Sequence, residues 1–191
     1  IDARKGRIMG VGIGPVRAEI ADLDAREELM TLDGQAAGAT ADFLRFIEAS
    51  PVGERIDHFT ADMTAAGNGE LQLRLDMPLR DIDRTRVDGR YRFVANRLVP
   101  DPGMPPLTDV NGELRFSADQ LQARKIRAAM FGMPMTVDIA TVGDGSVNVK
   151  AAGSATASGL RQQFGPLFGQ LTGTTTWGGT VRVRKKTAEL R

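Results

Sequence analysis

The sequence predicts a mainly β protein built around an antiparallel sheet, and three observations lead to this fold class. First, segment 69–77 alternates polar and apolar residues without a fault, which is typical of a strand with one wet face. Second, turns rich in glycine and proline separate a series of similar segments. Third, a strand-opening phrase recurs, in which an apolar residue, a small polar residue and glycine precede further alternation.

The recurring phrase is nearly identical at two places. Segment 87–93 reads Val-Asp-Gly-Arg-Tyr-Arg-Phe, and segment 110–116, which begins 23 residues later, reads Val-Asn-Gly-Glu-Leu-Arg-Phe. Looser copies begin at Leu32 and at Leu171. Such repetition makes the chain enter one strand after another with the same face inward. It therefore indicates a sheet built by accretion, with function in the surface of the sheet rather than in a few catalytic side chains.

The alternating segments and the turns between them predict about ten strands. Besides 69–77 and the phrase at 110–116, the candidate strands are 7–13, 16–23, 27–36, 86–96, 121–130, 131–139, 146–153 and 172–184. Turns are predicted at 14–15, 67–69, 100–106 and 143–145. Pro78 is expected to end its strand, and Pro134 suggests that its strand is an edge or contains a bulge.

Two segments have helical rather than strand periodicity. Segments 40–49 and 158–169 carry apolar residues three and four positions apart. Thr40 or Asp42 is expected to cap the first helix, which the Ser-Pro pair at 50–51 stops. The Gly-Pro pair at 165–166 makes the second helix short or kinked. The prediction is thus a mostly β domain with two short helices.

Composition bounds the possible functions. The chain has 191 residues, enough for one sizeable domain or for a segment of a longer repeat array. Its net charge is +1, from 25 basic and 24 acidic residues, which argues against a nucleic-acid partner. No cysteine is present, so disulfides and thiolate metal sites are excluded. Neither a membrane-spanning apolar run nor a signal peptide is found, and the first residue, Ile1, suggests an excised fragment.

Candidates for catalysis, metal binding or cofactor binding are weak. His58 is the only histidine, and in a strand its neighbour Asp57 would point to the opposite face. Asp81 and Asp83 would share a strand face, but nearby arginines make salt-bridged decoration the better interpretation. The glycines of segment 10–14 lack the spacing of a dinucleotide loop and precede a strand rather than a helix. We therefore predict no enzyme activity, no metal and no cofactor.

The alternation predicts a large apolar surface. Ten strands of nine residues present about forty inward side chains, because neighbouring residues point to opposite faces. Two short helices cover only part of such a surface. Either the sheet closes as a sandwich or barrel, or it stays open with an apolar trough, which would imply a partner or a lipid.

The order and spacing of several motifs resemble a known family. Segment 106–116 (Pro-Leu-Thr-Asp-Val-Asn-Gly-Glu-Leu-Arg-Phe), then 126–129 and 131–134, resembles the recurring unit of the AsmA-like envelope proteins. The similarity is closest to the YhdP branch, with its AsmA-like C-terminal region. Segments 34–38, 50–52, 67–71 and 78–79 follow the pattern of that branch in the same order, so the resemblance covers roughly residues 5–185.

The resemblance implies a fold and a function. AsmA-like proteins of Gram-negative bacteria are anchored in the inner membrane by an N-terminal helix and extend through the periplasm. Their repeats form a curved, taco-shaped sheet with an apolar groove, similar to eukaryotic bridge-like lipid-transfer proteins, and they are thought to carry phospholipids toward the outer membrane. Residues 1–191 are then expected to be one β-rich periplasmic segment of such a protein, associated with membranes through regions outside it. No catalytic residues are known for the family, so none are transferred.

Within this interpretation, the alternating strands name the residues expected to line the groove. They are Leu71, Leu73, Leu75, Met77, Tyr91, Phe93, Leu114, Phe116, Met133, Met135, Val137 and Ile139. The helices are expected to cap or plug part of the trough. Two alternatives remain open at this point: a structural or interaction β-repeat with a closed core and no ligand, and, less favoured, an enzyme whose site has no recognisable motif.

Overall fold

The computed structural model describes residues 2–3, 6–20, 22, 28–56, 58–165, 170 and 172–183, and the prediction of a mainly β fold is confirmed there. The strands are β1 (Asp2–Ala3), β2 (Gly6–Ile8), β3 (Val11–Ile20), β4 (Leu29–Ala39), β5 (Thr64–Pro78), β6 (Arg86–Val99), β7 (Leu107–Ser117), β8 (Leu121–Met130), β9 (Met133–Thr141), β10 (Val147–Thr156) and β11 (Thr174–Val183). The helices are α1 (Thr40–Glu48), α2 (Pro51–Arg55) and α3 (Ala157–Phe164), with a 3-10 turn at Ile82–Arg84.

All strands belong to one antiparallel sheet. From β3 to β11 each strand pairs with the next strand along the chain, and β1 and β2 lie one after the other along the outer edge of β3. The other edge is β11, which pairs with β10. Within the described residues these two edges do not pair with each other, so the sheet is open.

The helices lie at a single end of the strands, which we call the helix end. Helices α1 and α2 connect β4 to β5, and α3 connects β10 to β11. Because neighbouring strands are antiparallel, every even-numbered strand from β4 to β10 finishes at this end. The segments 79–85, 118–120 and 142–146 make the connections at the opposite end.

Local chemistry sets the helix boundaries and corrects two expectations. Neither Thr40 nor Asp42 caps α1: the N-cap is Ala39, without a side-chain hydrogen bond. Pro51 does follow the end of α1, but it also starts α2, because proline is tolerated in a first helical turn. The Oγ of Ser50 accepts a hydrogen bond from the backbone N–H of Val52 at 3.3 Å, which caps this additional one-turn helix.

The second predicted helix is short, as the Gly-Pro pair at 165–166 predicts. In α3 the Oγ1 of Thr156 accepts a hydrogen bond from the N–H of Gly159 at 3.0 Å. Helix α3 ends at Phe164, before Gly165, which has a φ of 69°. Residues 166–169 of the predicted helix lie outside the described residues, as do residues 21, 23, 27 and 184 of the predicted strands.

Two predicted turns and one predicted edge are wrong. The Gly-Pro pair at 14–15 is a bulge inside β3, and the chain turns instead at Met9 and Gly10, where φ is positive. Segment 67–69 lies within β5, where Gly67 has a φ of 105° beside a shift in the pairing register. Pro134 is the second residue of β9, a strand that pairs on both sides.

A set of bulges crosses the middle of the sheet. Ala95 in β6, Asp109 in β7 and Lys125 in β8 have φ values of 47°, 51° and 52°, and each lies at a register shift. Side chains of the next strands hold two of them: Asn111 Oδ1 accepts from the N–H of Ala95 at 3.0 Å, and Asp138 Oδ1 accepts from the N–H of Lys125 at 2.7 Å. Such bulges bend and further twist the strands that contain them.

The glycine of the recurring phrase makes room for a neighbouring side chain. Gly89 pairs directly with Phe116 on β7, and a Cβ at Gly89 would overlap the ring of Phe116. In the second copy, a Cβ at Gly112 would lie 3.0 Å from Ile126. The glycine of the phrase therefore leaves room for a residue of the next strand, as strand glycines do for aromatic residues in designed sheets.

We expect Gly89→Ala to destabilise the protein by about 1–3 kcal/mol, because the added methyl group must displace the Phe116 ring. The matched control is Gly143→Ala, since a Cβ at Gly143 meets no atom within 4 Å. Urea denaturation followed by circular dichroism measures both. Equal midpoints for the two variants would contradict the proposed packing of Phe116.

Candidate functional site

One face of the sheet is apolar across its whole width. Strands β3 to β11 each contribute one residue to a row of directly paired positions, which we call the central row. Its members are Ile13, Ala36, Leu71, Tyr91, Leu114, Ala123, Ile139, Val149 and Val181. Nine strands spaced about 4.8 Å apart make this row about 38 Å long.

A parallel row lies one step farther from the helix end, and we call it the outer row. Its members are Val16, Gly34, Leu73, Gly89, Phe116, Leu121, Thr141, Val147 and Val183. The row continues from Leu121 to Thr141, where the backbone N–H of Leu121 donates a hydrogen bond to Oγ1 of Thr141 at 2.8 Å. Thr141 is the polar member of the row, and the other eight members are apolar residues or glycine.

All twelve residues predicted to line the groove lie on this apolar face. Tyr91, Met135 and Val137 are buried, and the other nine are half-buried. Their sequence neighbours, such as Gln72 and Arg74, are exposed on the opposite face. The structure thus assembles the predicted residues on one surface, whereas their contact with a lipid stays a prediction.

The sequence prediction missed the contribution of β8. Ala123, Ile126 and Ala128 are all buried on the apolar face, with Ala123 on one side of the bulge at Lys125 and the other two beyond it. The extra residue shifts the inward positions from odd to even numbers, so the strand shows no simple alternation. With Val110, Met135 and Val137 they form a core cluster.

Helix α1 covers part of the central row. The ring of Phe43 packs edge-on against that of Tyr91, with the centroids 5.2 Å apart and the planes at 79°. The Tyr91 hydroxyl donates a hydrogen bond to Oγ1 of Thr40 at 2.9 Å, and this pair is buried. Burial raises the pKa of Tyr91, so the phenol stays protonated as a donor. Val11 completes this second core cluster, which closes the apolar face at Tyr91.

Glu48, the last residue of α1, ties the helix to the turn that follows α2. Its Oε1 accepts a hydrogen bond from Thr60 at 2.6 Å, and its Oε2 lies 2.8 Å from Nδ1 of His58. The Thr60 hydroxyl, and next the His58 ring, lower the pKa of Glu48. His58 is exposed in a turn, with a φ of 51°, so the strand geometry considered for it in the sequence does not apply. Asp57 lies outside the described residues.

The opposite face is polar and carries cross-strand ion pairs. Arg92 and Glu70 approach to 2.6 Å, and Arg90 and Glu113 to 3.4 Å. These side chains are at least one-third exposed, so each pair contributes little to stability. Two shallow depressions are both bordered by the polar-face residues Gln35 and Gln72: one of about 610 Å³ is lined by β3 to β6, and one of about 800 Å³ is lined by β2 to β5. The charged pairs keep this face in water.

The described residues offer little catalytic or metal-binding chemistry. No three histidine, aspartate or glutamate side chains among them are grouped as metal ligands would be. Asp81 and Asp83 do not share a strand face, because Ile82–Arg84 form a 3-10 turn in which both carboxylates are exposed. None of the helices in these ranges has the length and apolar character needed to cross a bilayer.

We expect Glu48→Gln to destabilise the protein at neutral pH, with a smaller effect at acid pH. The folded-state pKa of Glu48 is lowered, so its carboxylate stabilises the fold above its ordinary pKa of 4.5, and this contribution is lost as the pH falls through the lower folded value. Thermal melts of both proteins from pH 7 to pH 3 measure the difference. A constant difference across this range would show that the carboxylate charge plays no part.

The comparisons with known proteins point to one family. Over 135 residues the chain is 24% identical to the intermembrane phospholipid transporter YhdP of Escherichia coli (strain K12). The aligned region covers 69% of the chain and 11% of that protein. The chain thus spans about one-tenth of the length of this relative. No solved structure matches the chain significantly. The family model described as YhdP protein matches residues 1–191. Since this match covers the entire chain, the resemblance seen in the motifs is confirmed: the chain belongs to the YhdP family.

Proposed function

We propose that the chain is a non-enzymatic segment of a phospholipid conduit, with acyl chains lying on the apolar face. The observation that carries this proposal is the pair of apolar rows, the central row and the outer row, that cross strands β3 to β11 in register. A surface of this extent on a single-layer sheet exceeds what soluble monomers ordinarily leave without an occupant.

The two faces suit the two parts of a phospholipid environment. Each methylene group that leaves water for the apolar face contributes about 0.8 kcal/mol, so acyl chains gain stability anywhere along the rows. The arginine and carboxylate pairs on the opposite face stay hydrated. Because the rows run across the strands, additional strands at either edge lengthen the surface without new chemistry.

The proposal extends to cellular location. The relative is named an intermembrane phospholipid transporter, which supports a place between two membranes. We accordingly assign the segment to the periplasm of a Gram-negative envelope, held at the inner membrane by regions outside residues 1–191. The partner is then a phospholipid, and nucleic acid is not a partner, consistent with a net charge of +1.

One observation favours a second candidate, an interaction domain with a closed core. The cluster around Val110 is packed shut, with Val110 only 2% exposed and Val137 8% exposed. If the rest of the apolar face closed in the same way, the sheet would hold no lipid. The half-buried state of the outer row favours the conduit instead.

The decisive experiment compares two neighbours on β5 that face opposite ways. Leu73 is half-buried in the outer row, and Gln72 is exposed on the polar face. After purification from bacteria, native mass spectrometry is expected to detect phospholipid bound to the wild-type protein and to Gln72→Glu. Leu73→Glu is expected to lose it, because a carboxylate on the apolar face is not solvated by acyl chains.

Circular dichroism is the control that checks whether both variants are folded. Absence of phospholipid from the folded wild-type protein would favour the closed-core candidate. Equal retention by both variants would show that the lipid sits elsewhere on the molecule.

A further inference from the structure

The apolar face is closed on one side and open on the other. Of the eleven buried hydrophobic residues within the described part of the chain, two lie in the central row, Tyr91 and Ala123. The other nine lie between the central row and the helix end, or in the helices there: Val11, Phe43, Val110, Ile126, Ala128, Met135, Val137, Ala155 and Ala157. Among the described residues, none of the buried hydrophobic side chains belongs to the outer row or lies beyond it.

The outer row is accessible along its length. All its members are half-buried except Gly89, which the Phe116 ring covers. Beyond it, strands β3 to β6 add two more apolar rows, formed by Ala18, Leu32, Leu75 and Val87, and by Ile20, Met30 and Met77. None of these additional residues is buried.

Apolar side chains are also exposed at both edges of the sheet. Ile20 on β3 is 37% exposed, and Val181 on β11 is 58% exposed. Both lie on the apolar face, at its two lateral margins. Among the described residues, an occupant of this face therefore meets an exposed apolar side chain on β3 and another on β11.

The central row, unlike the outer row, is not accessible along its whole length. At Tyr91 it is covered by Phe43 of α1, and the Tyr91 hydroxyl is engaged by Thr40. The outer row passes the same strand, β6, at Gly89, where the Phe116 ring occupies the space that a Cβ would fill. No helix residue covers the outer row at this strand among the described contacts of Phe43 and Thr40.

We propose that acyl chains occupy and cross this segment along the outer row, on the side of the apolar face away from the helices. This inference rests on the proposed function and specifies the path within it. The helix-end half then serves as a packed wall that holds the sheet together, and α1 confines the lipid to the open half.

Site-specific cross-linking tests the path with four matched positions. Leu73 and Leu121 lie in the outer row, whereas Leu98 and Leu107 pair with each other near the helix end, and all four leucines are half-buried. A benzophenone amino acid replaces each in turn in the protein that carries this chain, in cells. After irradiation, mass spectrometry is expected to find phospholipid attached at Leu73 and Leu121, and only background attachment at Leu98 and Leu107.

A second measurement uses a smaller substitution. The chain has no cysteine, so Leu121→Cys and Leu107→Cys each introduce a single thiol. Vesicles of phosphatidylethanolamine and phosphatidylglycerol are expected to slow maleimide labelling at Leu121→Cys and to leave the labelling rate at Leu107→Cys unchanged.

The outcomes separate the path from the function. Lipid attachment that is equal at the four positions, or stronger at Leu98 and Leu107, overturns the path but leaves the conduit in place. Attachment at none of them, together with no phospholipid bound to the purified wild-type protein, overturns both.

Discussion

The strand register is the constraint on which the rest of this structure depends. Side chains alternate strictly across a strand, so a slip of one residue between any two strands would move a whole set of leucines to the polar face. The pairings keep every inward position opposite another inward position from Ile13 to Val181. The bulges preserve this phase, because each adds a residue to one strand of a pair while the inward positions on both sides stay aligned.

Glycine placement and helix placement divide this face into two parts with different roles. Where Gly89 lacks a side chain, the Phe116 ring fills the space that a Cβ would occupy. Where α1 crosses the strands, Phe43 and Thr40 bury Tyr91 and close the surface. Helix α1 therefore closes the apolar face at Tyr91, whereas the strand residues of the cluster around Val110 close it farther along the sheet.

The sequence predicted the fold class and most strands, because period-two alternation is a direct consequence of strand geometry. Strand β8 was predicted at 121–130 and lies at Leu121–Met130, and the lining residues of β5 and β9 all face one side. The bulges were not predictable, since Ala95, Asp109 and Lys125 adopt positive φ without being glycine. For the same reason Ala123 and Ile126 were missed: their spacing of three positions breaks the period-two alternation of a strand.

The helical corrections have a different origin. A proline after a helix is compatible with a stop and with a new first turn, and only the contacts of Ser50 decide that α2 follows. The contact of His58 with Glu48 was not predicted, because it depends on a turn geometry that the local sequence does not encode strongly. Small residues such as Gly34 and Ala36 carry little hydrophobic signal, so their share in the two rows emerged only from the pairing.

The up-and-down order of the strands has a consequence for cooperativity. From β4 to β10 each strand pairs with the strand before it and the strand after it, so folding energy accumulates from nearest-neighbour interfaces rather than from one central nucleus. Among the described strands, β1, β2 and β11 each pair with a single neighbour and should fray first. Denaturation would then advance inward strand by strand, and a single two-state free energy would describe such a ribbon poorly.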